Sequence, residues 1–291
     1  MHPDFARLHP EPFGHPESTA RIHVLLSAFP EHVEAGPATR ADLERVHSAD
    51  YLDNLEHVTD ESWIDFDTYV TPTTFEAAML AAGHTLEAVR RGGFALVRPP
   101  GHHASRDRAM GFCLVNNIAV AARYAQAELG LERVAILDWD IHHGNGTESI
   151  FWDDPSVFYV SLHAWPYYPG TGGPPDPDEE TEDIPGGAGP TTLNIPIPGG
   201  TGDREFLQAF EEIACPAIEA FHPDILLASI GFDAHREDPL SPCTLTDDAY
   251  HRMANLAAGL APRFAAVIEG GYNLRTLPRL VETTIAGFEG R

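Results

Sequence analysis

A chain of 291 residues with 43% apolar side chains is long enough for one large α/β domain or two small ones, with a sizeable core. Eighteen arginines, no lysine and 44 acidic residues leave a net charge of −26, a field that repels nucleic-acid phosphate and anionic membranes and so argues against direct DNA binding. No apolar run reaches the roughly 18 residues of a membrane span, and Cys113, Cys215 and Cys243 contain no C-x-x-C pair, so neither a disulfide framework nor a structural zinc finger is expected and the protein reads as reduced and cytoplasmic.

In chain order, helical periodicity runs from Thr19 to Phe29 and again from Thr74 to Arg91, where Thr74 stands as a cap before Phe-Glu-Ala-Ala. A first strand, Phe94 to Val97, passes into Arg98-Pro-Pro-Gly-His102-His103. A helix from Val115 to Glu128 leads to the apolar run Arg133-Val-Ala-Ile-Leu-Asp138, which continues as Trp-Asp140-Ile-His142-His-Gly-Asn145-Gly. A strand follows over Val157 to His163. The Gly-, Pro- and acid-rich stretch from Pro169 to Pro190 reads as a long solvated loop. Helix Arg204 to Phe221 precedes the strand that starts at Asp224 and ends in Gly231-Phe-Asp233-Ala-His235. Helix Asp247 to Leu260, capped by Thr246, precedes Phe264-Ala-Ala-Val-Ile-Glu269-Gly-Gly-Tyr272-Asn273, and helix Leu277 to Phe288 closes the pattern. Alternating strands and helices imply a parallel sheet covered on both faces, in one domain over residues 1–291, with ligands bound beyond the carboxyl ends of the strands. All five strand runs end in polar groups at that edge.

On an extended chain residues two apart point the same way, so Asp138, Asp140 and His142 are expected on one face at a strand end. A lone Asp-x-His is more often an acidic turn than a metal site. Here Asp140 and His142 supply two ligands and Asp233 a natural third, with one position left open as a catalytic zinc site requires; iron or manganese also suits two carboxylates and an imidazole. His102 and His103 are fixed by the stiff Arg-Pro-Pro-Gly turn, and a neighbouring carboxylate such as Asp138 would set the tautomer and basicity of an imidazole acting as general base. Tyr272, after two glycines, is a candidate oxyanion donor. No G-x-S-x-G elbow, Walker loop or dinucleotide fingerprint stands in a strand-to-helix context, and Cys113 reads as packing.

From His15-Pro-Glu17 with Arg21, through Val46-His-Ser-Ala-Asp-Tyr51, Arg98 to His103, Gly111-Phe112-Cys113, Asp138 to Gly146, Val160-Ser-Leu-His163 and Gly231 to His235, to Glu269-Gly-Gly-Tyr-Asn273, the chain resembles the histone deacetylase superfamily, including its acetoin-utilisation and acetylpolyamine amidohydrolase branches. The resemblance implies the arginase-deacetylase fold, an eight-stranded parallel sheet between helices. It implies zinc on Asp140, His142 and Asp233, His103 as general base and acid, His102 as its electrostatic companion oriented by Asp138, and Asn145 beside His103 in a class II-like manner. It also implies Tyr272 as transition-state donor and a structural potassium site at Asp138, Asp140, His142, Ser161 and Leu162. The acyl tunnel would be lined by Gly111, Phe112, Tyr168 and Leu240. The implied chemistry is zinc-dependent hydrolysis of acetyl-lysine in proteins or peptides. Small acetylated amines such as acetylpolyamines are the alternative, which the apolar Leu240 weakens. A non-catalytic acyl-lysine binder and a two-manganese arginase-like hydrolase are more distant readings; Asp233-Ala-His235 stands where a dinuclear site commonly has Asp-x-Asp.

The acidic surface adds one expectation. At about 1 M salt the Debye length falls to ~3 Å and self-repulsion is largely quenched, so the composition suits a molar-salt cytoplasm and a fold that loosens in dilute buffer.

Overall fold

Proline stands at 3, 10, 12, 16, 30 and 37, denying the N-terminal region the backbone donors of a continuous strand, and that region folds as loops and short helices. The computed structural model describes residues 1–174 and 191–291. Helices α1 (Asp4–Leu8), α2 (Thr19–Ala28), α3 (Arg40–Glu44) and α4 (Ala49–Glu56) lead to a small antiparallel hairpin, β1 (Ser62–Trp63) and β2 (Tyr69–Val70). Next come α5 (Thr74–Arg91), β3 (Phe94–Ala95), α6 (Asn117–Leu129), β4 (Val134–Asp138), α7 (Asn145–Phe151), β5 (Val157–Trp165) and β6 (Thr192–Pro198). The last third contains α8 (Asp203–Ala209), a π-helical turn at Phe210–Ala214, α9 (Cys215–Phe221), β7 (Ile225–Ile230), α10 (Asp247–Ala257), β8 (Phe264–Ile268) and α11 (Leu277–Phe288).

Six of these strands form one parallel sheet in the order β3-β8-β7-β4-β5-β6, flanked by helices. The expected α/β fold is present, but the expected eight parallel strands are not: among the described residues the other two strands form the separate hairpin. The strand expected over Phe94 to Val97 pairs only through Phe94 and Ala95. The helix expected over Arg204 to Phe221 is continuous but widens into the π-helical turn, which seats Phe210 against Trp139 with ring centroids 5.8 Å apart.

The two central strands set the position of everything else. Every residue of β4 and of β7 is buried, and each large apolar side chain removed from water there contributes roughly 1.5–3 kcal/mol. Helix α5 ends where Gly92 takes a left-handed conformation, φ 70°, and its amide caps Ala88. The two expected threonine caps act differently. Thr74 begins α5, and its hydroxyl accepts the amide of Thr71. The Thr246 hydroxyl donates to Asp203 and accepts no amide of α10.

Candidate active site

Beyond the carboxyl edge of the sheet, β4 continues into Trp139–His142, β7 into Gly231–Asp233 and β8 into Glu269–Asn273. Three side chains from two of these extensions converge: Asp140, His142 and Asp233 each offer a ligand atom, all within 4.8 Å of one another. Asp138 does not join them. The strand ends at Asp138, and beyond it the chain curls so that the amides of Asp140 and His142 donate to the carboxylates two residues earlier, at 3.1 and 2.8 Å. That curl breaks the two-residue alternation and sends Asp138 to the ring of His102 (3.1 Å) and the hydroxyl of Tyr159 (3.0 Å). Of the three side chains expected on one face at the strand end, Asp140 and His142 converge with Asp233, and Asp138 faces His102 and Tyr159 instead.

The donor set suits a divalent cation. Asp140 and Asp233 are fully buried, and burial works against the charged His142 imidazole. The charge of Asp233 and its bond to Asp140 nevertheless raise His142 to about 10, a measure of the negative field at this point. Burial, with Asp140 adding to it, pushes Asp233 up to about 6, whereas His102 and His142 hold Asp140 below its ordinary range against the same burial. Space is kept by glycine: a Cβ on Gly231 would lie 2.1 Å from Asp140 Oδ2, and one on Gly270 2.1 Å from Asp233 Oδ2. A second group, His102, Cys113 and Glu269, also lies close together. Its carboxylate is already bound by the amides of Gly101 and His102 and the hydroxyl of Ser229, so it serves the fold.

The paired histidines differ in charge. His102 donates Nδ1–H to Asp138, and its Nε2 lies 3.9 Å from Asp140 Oδ1. Burial lowers its basicity, but the two carboxylates override that and lift it to about 10. His103, with its ring centroid 4.0 Å from that of His102, is held well below 6.5 by burial and by the positive charges of His102 and His142. Its Nδ1 pairs with Asn145 Oδ1 at 2.9 Å. Asn145 points its amide nitrogen at Met110 Sδ, which leaves its carbonyl oxygen for the ring. The carbonyl oxygen accepts Nδ1–H, so the other ring nitrogen carries the lone pair, as a neutral base needs.

These groups share one cavity of about 290 Å³, lined by His102, His103, Asp140, His142 and Tyr272 with Gly111, Phe112, Tyr168 and Leu240. Gly111 has φ 58°, and a Cβ there would meet the His103 ring at 2.4 Å, so glycine is what allows the wall to close on the base. The ring of Tyr168 stands edge-on to His103, centroids 5.3 Å apart. Burial, reinforced by the charge of Asp233, keeps the Tyr272 phenol protonated well above its ordinary range. The segments expected to hold a monovalent cation run side by side: Ser161 pairs in register with Asp138, and Ala164 donates its amide to Ile141.

The cavity also takes in residues that pattern reasoning passed over. Pro16, Asp67 and Pro100 line it, and burial with the nearby Asp65 raises the carboxyl of Asp67 to about 6. Asp67 lies in the β1–β2 hairpin, between the Val46–Tyr51 and Arg98–His103 motifs and part of neither, and nothing in its spacing marks it. Of the biased stretch expected as a loop, residues 175–190 lie outside the described residues. Pro169–Pro174 precede them, with Gly170 and Gly172 at φ 85° and 73°, in the left-handed region that glycine favours.

Comparison with known proteins agrees with this geometry. The histone deacetylase domain matches residues 15–288. A chloroplastic histone deacetylase 10 of Oryza sativa subsp. japonica is 40% identical over 95% of this chain and 70% of its own length. A probable deacetylase of Methanothermobacter thermautotrophicus is 39% identical over 95% of this chain and 86% of its own. Among solved structures, an acetylpolyamine aminohydrolase from Burkholderia pseudomallei superposes with a TM-score of 0.86 at 30% identity, covering 99% of this chain and 97% of that one.

Proposed function

The chain belongs to the histone deacetylase family, and on that premise we propose that it is a zinc-dependent deacetylase that removes acetyl groups from the Nε-amine of lysine in proteins or peptides. One observation carries this reading: a neutral imidazole, a protonated phenol and two members of a convergent Asp-His-Asp set, Asp140 and His142, line the same cavity, with Asp233 converging on them from behind its wall.

Asp140, His142 and Asp233 would hold the zinc, with iron or manganese as substitutes the same donors accept. When bound, such a cation supplies Lewis-acid polarisation of the acyl carbonyl and acidifies water. His103 then takes the proton from the attacking water and later gives it to the departing amine, which its neutral state and its Asn145-fixed tautomer permit. His102, charged through Asp138 and Asp140, keeps His103 from protonating prematurely and favours the negative charge that develops on the carbonyl oxygen. Tyr272 donates its hydroxyl to that oxyanion. Gly111, Phe112 and Tyr168 enclose the acyl-lysine stem. Backbone and side-chain oxygens of Asp138, Asp140, His142, Ser161 and Leu162 are proposed to hold a structural potassium ion. The buried, unpaired Cys113, Cys215 and Cys243 fit a reducing cytoplasm.

A second reading, deacetylation of small acetylated amines, draws support from Asp67 at the cavity, a carboxylate suited to a cationic amine, and from the likeness to the acetylpolyamine aminohydrolase. The apolar Leu240 in the same wall favours the lysine substrate. Acetate release from an acetyl-lysine peptide and from acetylated polyamines, measured on zinc-loaded protein in concentrated KCl, separates them. Faster turnover of the peptide is expected. Faster turnover of the polyamine would transfer the assignment to the small amine, and no release from either would leave the non-catalytic binder.

A further inference from the structure

The loop that carries Tyr272 is held from two sides by carboxylates that belong to other loops. On one side the amide of Gly270 donates to Asp140 Oδ2 at 2.8 Å. On the other, the amides of Tyr272 and Asn273 both donate to Asp238 Oδ2, at 2.6 and 3.1 Å. The second oxygen of Asp238 accepts the amide of Leu240 at 3.0 Å, and Leu240 lines the same cavity as the phenol. Asp238 itself is 8% exposed and lies outside every helix and strand, between β7 and α10.

The loop's other bonds run mostly through its oxygens and one side chain: Phe232 N and Arg21 donate to the carbonyls of Gly270, Glu269 and Gly271, and Asn273 Nδ2 donates to the carbonyl of Glu237. Gly271 sits at φ 119°, where a Cβ would meet Phe232 Cβ at 2.8 Å, so the backbone must stay in a conformation that only glycine tolerates. Half-buried amides there need acceptors, and one side chain provides for two of them while reaching the cavity rim with its other oxygen. Arg21 stacks over the Tyr272 ring, 5.2 Å to the centroid, and donates to the carbonyl of Gly271; it steadies the ring and the loop's oxygen side but bonds none of its amides.

We propose that Asp238 is a positioning residue that locks the backbone of Tyr272 to that of Leu240, so that the oxyanion donor and the rim of the tunnel are held as one unit. The proposal rests on the deacetylase reading for the role of Tyr272. Loss of Asp238 should therefore act on the chemical step more than on substrate binding. In Asp238→Ala, kcat is expected to fall about 10- to 100-fold, the usual range for outer-shell support, with KM changed less than about threefold. The same substitution made on Tyr272→Phe should cost less than about threefold more, because the group it positions is already gone.

Hydrogen exchange supplies a readout that needs no turnover. The amides of Tyr272 and Asn273 are expected to lose at least about tenfold in protection, while those of β4 and β7 keep theirs. If Asp238→Ala fails to fold, Asp238→Asn, which keeps one carbonyl acceptor, should show the same local loss at a smaller size. Unchanged protection at Tyr272 and Asn273, or full additivity of the two substitutions in kcat, overturns the proposal. A wild-type protein that released no acetate would overturn the reading of Tyr272 instead, and exchange would still decide whether Asp238 anchors the loop.

Discussion

The floor of the cavity and its mouth are built by opposite means. At the floor, Asp138, Asp140, Asp233 and His102 are 0 to 3% exposed, and each has at least one charged partner or backbone donor. Around the mouth, Leu240 of the lining is 40% exposed, and Phe66, outside the lining but next to Asp67 and with its ring 6.2 Å from that of Tyr168, is 80% exposed. Burial makes misplaced charge expensive at the floor, so its geometry is over-determined; the mouth is under-determined, with apolar surface left for a substrate to cover. Changes at the floor should therefore abolish chemistry, and changes at the mouth should adjust affinity.

The largest effect is expected for Asp233→Asn. It replaces one carboxylate of the convergent set with a neutral amide and leaves one oxygen where Asp233 offers two, one to His142 Nδ1 at 3.0 Å and one to the amide of Ile141 at 3.3 Å. Bound zinc, read by elemental analysis after dialysis, should drop well below one per chain, and acetate release should fall about 1,000-fold or more, equivalent to ~4 kcal/mol of transition-state stabilisation. A variant that keeps its zinc and its rate would show that the floor is not the source of the chemistry.

This contrast also explains what could be read from sequence. The floor was legible because its residues sit at fixed short offsets from apolar runs: Asp138, Asp140 and His142 after β4, Asp233 after β7 and Tyr272 after β8. What the offsets hid was direction. Asp138 lies two residues before Asp140, yet the curl after the strand turns it toward His102 and Tyr159. The alternation rule holds on the strand and fails one residue past it. Asp67 and Asp238 left no trace because each acts from a loop whose place is set by tertiary packing; Asp238 bonds a residue 34 positions away. The strand count differs for a related reason: eight follows from the resemblance, whereas among the described residues six segments pair in the main sheet.

An intermediate effect is expected at the mouth. Phe66→Ala removes an exposed ring that touches Tyr168 and supports no buried polar group. With an acetyl-lysine peptide, KM should rise about 3- to 10-fold, as expected when ~1 kcal/mol of apolar contact is lost, and kcat should stay within about twofold. A fall in kcat without a change in KM would mean that the hairpin carrying Phe66 holds the wall around the base, and the division between floor and mouth would need redrawing.

The smallest effect concerns stability and tests the same principle away from the site. His84 is buried like His102 but has no carboxylate beside it. Burial, aided by the positive charges of the Met1 amino group and His2 and opposed only by the carbonyls of Leu80 and Met1, lowers it to about 4. Its Nε2 accepts the amide of Ala35 at 3.1 Å, a role only the neutral ring can fill. In the unfolded chain a histidine titrates near ~6.5. Between ~6.5 and about 4 the unfolded chain thus holds a proton that the folded chain refuses, and stability falls as pH falls through that window, by at most ~1.4 kcal/mol per unit from this group. Above ~6.5 neither state binds the proton, and the contribution is fully present. His84→Gln should make melting temperature depend less steeply on pH between 6.5 and 4, by about 2–4 °C per unit at most, while leaving turnover at neutral pH unchanged. Parallel melting curves for the two proteins across that window would mean that the imidazole is charged in the folded state, and that burial alone does not set the charge of a histidine in this fold.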